Sequence, residues 1–491
     1  MQLDLKGLEQ CTTSSFLSSS LEKAYILLHD ASSRKKVSSL WENCFIVCIS
    51  YINEVSYFEI VKKDSSTDAR AGILKTPHGE VRTPSYVVVG TDAAVRCVPS
   101  EELPHTKTQL IIANTYHLWR TLGKKLETFE GLHKRMKWNS PLMTDSGGFQ
   151  VFSFGFGREH GMGKMGNALP VRKLSVGTGR ASSPADEAAL RSRPARPDSC
   201  RDTKLAGLRE LPPDNFLAGR GKNLVRVTDD GVYFSTEDGE QYLDAELSIY
   251  IQEKLGADII VAFDEPTSPL HDHAYTKESL ERTHRWAIRS LKARARNDQL
   301  MYGVVQGGAF EDLRKESAEF IGKQPFEGFA IGGSYGESMG APREQMLSVL
   351  RWSVPYLPKE KPRHLLGIGR IEDVFDAVEH GMDTFDCVIP TREARHGSLW
   401  TAKGRFDVRK GSFEGSREPI EEGCGCIACG EKNITRGELR ELFKSKNMEA
   451  GHLASLHNVY FFNNLLERVR DSILEGEFSK FRDRFLSNIH R

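Results

Sequence analysis

The chain of 491 residues lacks the features that would place it in a membrane or outside the cell. It contains no run of about 18 apolar residues, so no membrane-spanning helix is predicted. Its N-terminus lacks the basic and then apolar order of a secretory signal. Nine cysteines, unevenly spread, do not make a disulfide framework and indicate metal binding in a reducing compartment. We therefore expect a cytoplasmic protein.

An excess of charge of either sign is also absent, because 67 Lys and Arg balance 67 Asp and Glu. Overall charge therefore gives no sign of a polyanionic partner, and any phosphate-binding surface must be local. Hydrophobic residues make up 39% of the chain and charged residues 27%, which is typical of a globular protein. The length suits one large barrel with additions.

Methionine is missing between Met1 and Met136, and residues 1–54 are Ser-rich with weak patterning. We predict that translation starts at a non-methionine codon near Val55 and that residues 1–54 are an uncertain N-terminal extension. The alternative is a genuine, loosely ordered tail. The intact mass of the native protein distinguishes the two.

From residue 57 onward, short apolar segments alternate with helical ones. Strands are predicted at Ala71–Thr76, Val81–Val89, Gln109–Ala113, Leu142–Thr144, Ile259–Phe263, Tyr302–Val305, Phe329–Ile331, His364–Ile368 and Thr384–Val388. Helices are predicted at Glu246–Leu255, Lys277–Ala293, Phe310–Ile321, Ile371–Glu379 and within Leu439–Phe485. This alternation predicts an α/β fold with a parallel sheet, and the number of units favours a (β/α)8 TIM barrel over residues 55–489.

Residues 155–223 interrupt the alternation with 13 Lys and Arg against 7 Asp and Glu, and with Pro, Gly and Ser throughout. We predict an irregular basic insertion after a barrel strand. A solvated loop and an additional RNA contact are both compatible with this composition.

Three cysteines, Cys424, Cys426 and Cys429, are followed by His457. Three thiolates and one imidazole complete a tetrahedral shell, which is typical of a structural Zn²⁺ site. His452 is the competing ligand, but His457 lies in the more apolar helical segment. We predict a zinc-binding subdomain over residues 424–460, inserted towards the C-terminus, that fastens the last helices to the barrel.

Polar groups follow the ends of several predicted strands, where a barrel of this kind gathers its catalytic groups. Asp145 and Ser146 precede two glycines and Phe149, which could stack on a planar ligand, although this segment could also be an ordinary loop. Asp264, Gln306 and the backbone of Gly333 could accept from and donate to the edge of a purine.

A further block contains Asp386, Arg392 and Arg395. Two arginines three residues apart, near a carboxylate, suit the positioning of phosphates. A structural ion pair between Asp386 and one of the arginines is the alternative. Each block is weak evidence when it is taken singly.

Taken together, the blocks resemble the tRNA-guanine transglycosylase family, in particular its bacterial type, over roughly residues 57–489. The motifs that carry the resemblance are Asn114–Leu118, Thr144–Gln150, Ala262–Glu265, Val304–Gly308, Ala330–Gly333, His364–Gly369, Asp383–Arg392 and the Cys3His cluster. Their order and number make chance agreement very improbable.

The resemblance implies a zinc-containing (β/α)8 barrel that acts as a homodimer. Members of the family exchange guanine at the wobble position of GUN anticodons for a 7-deazaguanine base. Bacterial members insert preQ1, the aminomethyl form and a precursor of queuosine, through a covalent RNA–enzyme intermediate.

The resemblance also implies roles for individual residues. Asp386 matches the nucleophile, and Asp145 matches the group that binds the base and moves its proton. The remaining residues match substrate contacts: Asp264, Gln306, Gly333, Phe149, Ser146 and Asn114 towards the base or Asp145, and Arg392, Arg395 and Arg370 towards tRNA.

Three positions depart from the family pattern. The loop after Gly333 is one residue shorter than usual, His364 stands where tyrosine is usual, and Pro266 stands where cysteine is common. All three lie near the expected base pocket, so they affect the predicted preference among guanine analogues and leave Asp386 unaffected.

Three other functions compete with this interpretation. A non-catalytic tRNA-binding subunit of the same family would be expected to lack Asp386 or Asp145. A zinc-dependent barrel hydrolase needs an open metal site at the barrel mouth, and His271 and His273 fall in a Pro-containing loop. A plain RNA-binding module would bind RNA without forming a covalent adduct.

Overall fold

A computed structural model describes residues 57–152, 225–236, 239–333 and 343–489. All of them fall within one compact unit, Tyr57–Arg491. The predictions for residues 1–54 and 155–223 lie outside the described residues, and the proposed domain boundaries stay predictions. Within the described ranges, no helix is long and apolar enough to cross a membrane.

The secondary structure alternates between strands and helices, as the sequence predicts. In chain order the strands are β1 (Phe58–Lys63), β2 (Arg70–Thr76), β3 (Gly79–Thr83), β4 (Ser85–Val89), β5 (Leu110–Ala113), β6 (Leu142–Thr144), β7 (Val225–Val227), β8 (Val232–Thr236), β9 (Gly239–Leu243), β10 (Ile259–Val261), β11 (Leu300–Val305), β12 (Gly328–Ile331), β13 (Arg363–Leu365), β14 (Thr384–Asp386), β15 (Ser398–Thr401) and β16 (Gly404–Asp407). The helices are α1 (Thr115–Leu122), α2 (Leu132–Met136), α3 (Ala245–Leu255), α4 (His273–Ala293), α5 (Glu311–Gly322), α6 (Arg343–Ser353), α7 (Ile371–Glu379), α8 (Ile389–Arg395), α9 (Arg436–Lys444), α10 (Met448–Glu475) and α11 (Phe478–Ile489).

Eight parallel strands close into a barrel in the order β4-β5-β6-β10-β11-β12-β13-β14, with β14 pairing back to β4. The predicted TIM barrel is therefore confirmed. Several predicted ends differ from the structure by a few residues, and two predicted elements are divided. The predicted strand Val81–Val89 is two strands, since Pro84 separates β3 from β4. The predicted helical segment Leu439–Phe485 lies across three helices, α9 to α11.

The inside of the barrel is filled by apolar side chains from its strands and is closed at one end by the antiparallel sheet β1-β2-β3. Phe58, Leu74 and Val81 from that sheet pack in one cluster with inward residues of the barrel strands. This end is the N-terminal end of the strands, so the opposite end, where the strands finish, is left for polar groups.

A buried carboxylate at the closed end joins the sheet to the barrel. Asp258, directly before β10, accepts from the backbone N–H of His78 (3.1 Å), the His78 ring (2.7 Å) and the Leu142 N–H (2.7 Å). His133 Nε2 lies 3.3 Å from Oδ2 of Asp258, the oxygen that also accepts from Leu142. Burial opposes ionisation, but hydrogen bonds from His133, Leu142 and His78 outweigh it and lower the pKa of Asp258.

We expect Asp258→Asn to lower the free energy of unfolding by about 3 kcal/mol at pH 7, because it leaves buried donors facing an amide. A lowered pKa stabilises the fold only above the carboxyl's unfolded value of about 3.9, and this contribution disappears as pH falls through the folded pKa. The difference between the proteins should therefore shrink in urea titrations at pH 4 and below. Asp298→Asn, at an exposed pair with Arg296, should cost under about 1 kcal/mol; equal losses would contradict the expectation.

Residues after α8 form a small unit beside the barrel. The hairpin β15-β16 leads to the cysteine segment, and Thr435 caps α9 through a reciprocal pair of hydrogen bonds with Glu438. The long helix α10 then packs on α8, β15 and β4. It therefore connects the cysteine segment to the barrel wall next to β14.

Candidate active site

Asp145 follows β6 at the open end of the barrel and is held by the start of α1. Its Oδ1 accepts from the N–H groups of Thr115 (2.8 Å) and Gly147 (3.2 Å). Asn114 donates from Nδ2 to Oδ2 (2.6 Å), while Asn114 Oδ1 caps α1 by accepting from His117 N–H. Asn114 thus orients Asp145, as the resemblance implied, and its own amide is fixed by the helix that it caps.

Asp264, directly beyond β10, lies in the same hydrogen-bonded network. Ser146 donates to its Oδ1 (2.9 Å) and Gln306 Nε2 donates to its Oδ2 (2.7 Å). Gln306 is buried, and its Oε1 has no hydrogen-bond partner among the described residues. A buried acceptor without a donor costs folding free energy, so Gln306 Oε1 is suited to accept a hydrogen bond from a ligand that carries an N–H group.

Glycines permit the close approach of these groups. A Cβ on Gly332 would lie 2.4 Å from Gln306 Nε2, and one on Gly148 would lie 2.8 Å from the carbonyl oxygen of Asp264. Side chains at either position would displace the network. Gly333 follows with φ of +142°, a backbone conformation that favours glycine.

Phe149 lies in a helical turn at 148–152 and is 42% exposed, which is unusual for a phenylalanine. Its ring is therefore available for stacking. Asp145, Asp264 and Gln306 follow three different barrel strands, so the open end of the barrel combines acceptors with an aromatic face, as the sequence predicts.

Asp386 is the last residue of β14, and its charge is close enough to act on Asp145. Its Oδ1 accepts from the Gly367 N–H (3.0 Å) and lies 3.2 Å from His364 Nε2. Within the described part of the chain, no donor contacts Oδ2, and no arginine pairs with this carboxylate. The alternative of a structural ion pair with Arg392 or Arg395 is therefore wrong. A carboxylate with one anchored and one open oxygen suits nucleophilic attack.

Two further carboxyl groups of the site have perturbed pKa values. Burial raises the pKa of Asp145 to about 6, its hydrogen bonds oppose this, and the nearby charge of Asp386 adds to it. Burial likewise raises the pKa of Asp264 to about 6 against the bonds from Gln306 and Ser146. Groups with such values can change protonation near neutral pH, which suits binding and proton transfer.

Two of the three predicted basic residues lie on the helix that follows Asp386. Arg392 and Arg395 belong to α8, and Arg370 precedes α7. Sequence reasoning missed Arg96, in the loop after β4; together with burial, its charge lowers the pKa of Arg395, which shows that the two are neighbours. Among the described residues, neither Arg96 nor Arg392 pairs with a carboxylate. The position of Arg96 after a barrel strand was the available signal.

The predicted metal ligands meet in one cluster. His457 Nδ1 lies 3.7, 3.6 and 3.4 Å from the Sγ atoms of Cys424, Cys426 and Cys429. A tetrahedral site with ordinary zinc bond lengths separates sulfur and nitrogen by about 3.6 Å. His457 Nε2 donates to the carbonyl of Trp400 (2.8 Å), which leaves Nδ1 as the ligand atom. The cluster fits a metal ion.

The competing ligand is positioned elsewhere, since His452 Nε2 contacts Glu102 at 2.5 Å. Next to His457, Asn458 donates to the carbonyls of Pro390 and Ser398 (both 3.0 Å). Pro390 lies in the first turn of α8. The metal cluster is thus linked, through one turn of α10, to the helix that carries the arginines.

A hydrolytic metal site at the barrel mouth finds no support in the described residues. Besides the Cys3His cluster, the described residues contain one other group with metal-ligand chemistry. It consists of His78, His133 and Asp258 and lies at the closed end of the barrel. Asp272 caps α4 and His273 contacts Asp312 at 2.7 Å, so the predicted loop histidines do not converge on the site. The hydrolase alternative is therefore disfavoured.

Comparisons with known proteins agree with this geometry. A family model described as queuine tRNA-ribosyltransferase matches residues 64–165 and 216–491. The queuine tRNA-ribosyltransferase of Halothermothrix orenii is 39% identical over 432 residues, covering 87% of this chain and 96% of the relative. That of Caldanaerobacter subterraneus is 36% identical over 437 residues, covering 88% and 97%. A protein of Archaeoglobus fulgidus that is provisionally named queuine tRNA-ribosyltransferase is 40% identical over 429 residues. The alignment covers 85% of this chain and 96% of that relative.

The matched residues include every candidate site residue discussed above, and the relatives are aligned over almost their whole length. The family and the enzyme class predicted from the motifs are therefore confirmed. The chain belongs to the queuine tRNA-ribosyltransferase family.

Proposed function

We propose that this protein is a tRNA-guanine transglycosylase of queuosine biosynthesis, which replaces guanine at the wobble position of GUN anticodons with preQ1. The observation that carries the proposal is the open end of the barrel. There, a carboxylate with one open oxygen lies beside a set of buried hydrogen-bond acceptors. Such a site suits the transfer of a base whose edge is rich in N–H groups.

The acceptors match the edge of a guanine-like base. Guanine and preQ1 both present a ring N–H and an amino group as hydrogen-bond donors. The carboxylates of Asp145 and Asp264 and the unpaired Oε1 of Gln306 can accept hydrogen bonds from these donors. The carbonyl of the base needs a donor. Gln306 already donates one N–H to Asp264, which favours the backbone N–H of Gly333, and the exposed ring of Phe149 supplies a stacking surface.

The transfer takes two displacements at the ribose anomeric carbon. Oδ2 of Asp386 forms a bond to C1′ while the bond from C1′ to N9 of guanine breaks, and the electron pair leaves with N9. Asp145 in its protonated form supplies the proton to the departing base and takes one from the incoming base. The incoming base then attacks C1′ and releases Asp386. Two inversions give net retention, as in retaining glycoside transfer.

The RNA backbone would lie across α8 and the loop after β4. Arg392 and Arg395 on α8, Arg370 before α7 and Arg96 after β4 would provide the positive charge, and phosphate contacts of this kind fix the register of a nucleic acid. The neutral net charge of the chain makes this local cluster the expected electrostatic footprint.

The metal is Zn²⁺ in a structural role, because three thiolates and one imidazole leave no position for water or substrate.

The protein acts as a homodimer, which sedimentation at micromolar concentration would test.

The activity is tested with radiolabelled guanine and an unmodified tRNA transcript with a GUN anticodon. We expect incorporation into this transcript and none into a matched transcript with adenine at position 34. Unlabelled preQ1 should then displace the label irreversibly. Displacement by queuine but not by preQ1 would assign a different incoming base. Tight RNA binding without any incorporation would indicate a non-catalytic RNA-binding protein.

Base affinity should depend on pH in one direction. Asp145 and Asp264 have pKa values of about 6, and a protonated carboxyl has one acceptor fewer for the N–H groups of the base. We expect a constant Kd for guanine above pH 7. Below pH 6 the affinity should fall by about tenfold per unit for each group that must ionise. Isothermal titration calorimetry from pH 5 to 8 measures the Kd for guanine at each pH.

The Asp264→Asn variant serves as the control. It removes one titrating group, so the slope of log Kd against pH below 6 should fall, even if the affinity at pH 8 is lower. An affinity that stays constant from pH 5 to 8 in the unaltered protein would contradict base recognition by these carboxylates.

A further inference from the structure

His364 is fully buried inside the barrel and touches the proposed nucleophile. It lies on β13, directly beside Thr384 of β14 in the register of the two strands. Its Nδ1 lies 2.9 Å from Thr384 Oγ1, and its Nε2 lies 3.2 Å from Asp386 Oδ1. Both nitrogens of the ring are therefore used, one on each of two residues of the same strand.

The positions of the hydrogens follow from the partners. An ionised carboxylate can only accept, so Nε2 must carry the hydrogen that faces Asp386. In a neutral imidazole Nδ1 is then an acceptor, and the Thr384 hydroxyl donates to it. This arrangement gives the carboxylate, the imidazole and the hydroxyl each a hydrogen-bond partner without adding a second charge beside Asp386. The contact with Asp386 thereby fixes the tautomer of His364, the Thr384 hydroxyl supports it as a donor, and His364 in turn orients Asp386.

The consequence concerns the two carboxylate oxygens. Oδ1 is held by His364 and by the N–H of Gly367, which has a φ of +76°. Oδ2 has no donor within the described ranges, so its lone pairs stay unshared. Because the carboxylate is symmetric, either oxygen could attack; the two donors determine which of them faces outward.

We propose that His364 is a positioning residue for the transfer reaction. Its ring, bonded to Thr384 through Nδ1 and to Asp386 through Nε2, holds Oδ1 of Asp386 so that Oδ2 is presented to the anomeric carbon. The inference rests on the proposed function, and it adds a role for a residue that departs from the family motif. His364 transfers no proton: in the first displacement the bond from Oδ2 to C1′ forms and the bond from C1′ to N9 breaks, while the hydrogen on Nε2 stays in place.

The test measures the rate at which the covalent RNA adduct forms in a single turnover, with enzyme in excess over a GUN transcript. His364→Leu removes both hydrogen bonds, and we expect adduct formation to slow by about 10²-fold, the scale of a misplaced reacting group. His364→Gln keeps an N–H that can reach Oδ1 and should recover most of the rate. The KM for tRNA should stay unchanged while kcat falls.

Thr384→Val provides a second variant that keeps the shape of the barrel interior. Loss of the hydroxyl frees Nδ1 to carry the hydrogen, so the rate should fall by about tenfold, the scale of one lost hydrogen bond, whereas Thr384→Ser should stay close to the unaltered protein. His380→Leu is the matched control. It removes a half-buried histidine directly after α7, whose Nδ1 lies 2.7 Å from the carbonyl oxygen of Asp376. This residue is near the closed end of the barrel, where Glu379 accepts from the Asp68 N–H, so the rate should stay unchanged.

The outcomes separate the two proposals. Adduct formation at the normal rate in His364→Leu, or no recovery in His364→Gln, overturns the positioning role and leaves the proposed function standing. A change confined to the KM for tRNA also overturns it. Absence of adduct and of guanine exchange in the unaltered protein overturns the proposed function, and the positioning role with it. Should His364→Leu fail to fold, the contrast between Thr384→Val and Thr384→Ser decides.

Discussion

Asp386→Asn is expected to abolish both guanine exchange and the covalent RNA adduct, with a loss of more than about 10³-fold in kcat. An amide oxygen is a far weaker nucleophile than a carboxylate oxygen. Asparagine would still accept from His364 and Gly367 at the position of Oδ1, so the side chain keeps its place. The group that then faces the ribose is an NH2, which has no lone pair available for attack.

The adduct is measured by denaturing electrophoresis of enzyme with a GUN transcript, and exchange is measured with labelled guanine. Asp145→Asn is the informative comparison. It removes proton transfer and one base acceptor but leaves Asp386 intact, so guanine should bind more weakly and exchange should slow while some adduct still forms. If Asp386→Asn retains an adduct and Asp145→Asn does not, the nucleophile is Asp145 and the assignment is wrong.

RNA affinity separates a chemical loss from a structural one. Asp386 pairs with no arginine or lysine in the described residues, so its replacement should leave tRNA binding nearly unchanged. A large loss of affinity would instead mean that the carboxylate organises the RNA surface around Arg392.

The sequence was sufficient to predict most of the barrel and to place the candidate site groups at the ends of its strands. Asp145, Asp264 and Gln306 could be found because each follows an apolar strand, and all parallel strands of a closed barrel end at one face. The metal ligands were equally accessible, since their spacing limits the possible chemistry. His457 was preferred over His452 from the apolar helical pattern, and the structure brings His457 to the cysteines.

What the sequence could not provide depends on contacts between distant strands. His364 stood out only as a departure from a motif; its hydrogen bond to Asp386 depends on the register of β13 and β14, over 22 residues of separation. The orientation of Gln306, with Nε2 on Asp264 and Oε1 left open, depends on the space that Gly332 provides. Arg96 belongs to no motif, and only the closure of the barrel brings its loop to α8.

Removing the metal is expected to disorganise the RNA-binding side of the site while the barrel persists. The small core around the cysteines consists mostly of small and medium side chains, including Ala428, Ala450 and Ala454, with Ala394 of α8 among them. Such a core buries little apolar area, so metal binding has to supply much of the local folding free energy. Without it, His457 and Asn458 no longer hold Trp400, Ser398 and the first turn of α8.

The expected result for His457→Ala is loss of bound zinc by mass spectrometry and weaker tRNA binding. The slope of log affinity against log salt should fall by about one for each lost arginine–phosphate contact. Guanine should still bind, because Asp264 and Gln306 follow β10 and β11, on the far side of the barrel. His452→Ala is the matched control, from the same helix, and should keep both zinc and RNA affinity.

Chelation of the metal from the unaltered protein tests the same expectation without changing a residue. A parallel loss of RNA affinity and of protection from proteolysis around α10, with guanine binding retained, supports the structural role. Loss of exchange with the fold and RNA affinity intact would place the metal in the chemistry. That result would contradict the saturated Cys3His shell, in which His457 Nδ1 and three sulfurs already occupy the four tetrahedral positions.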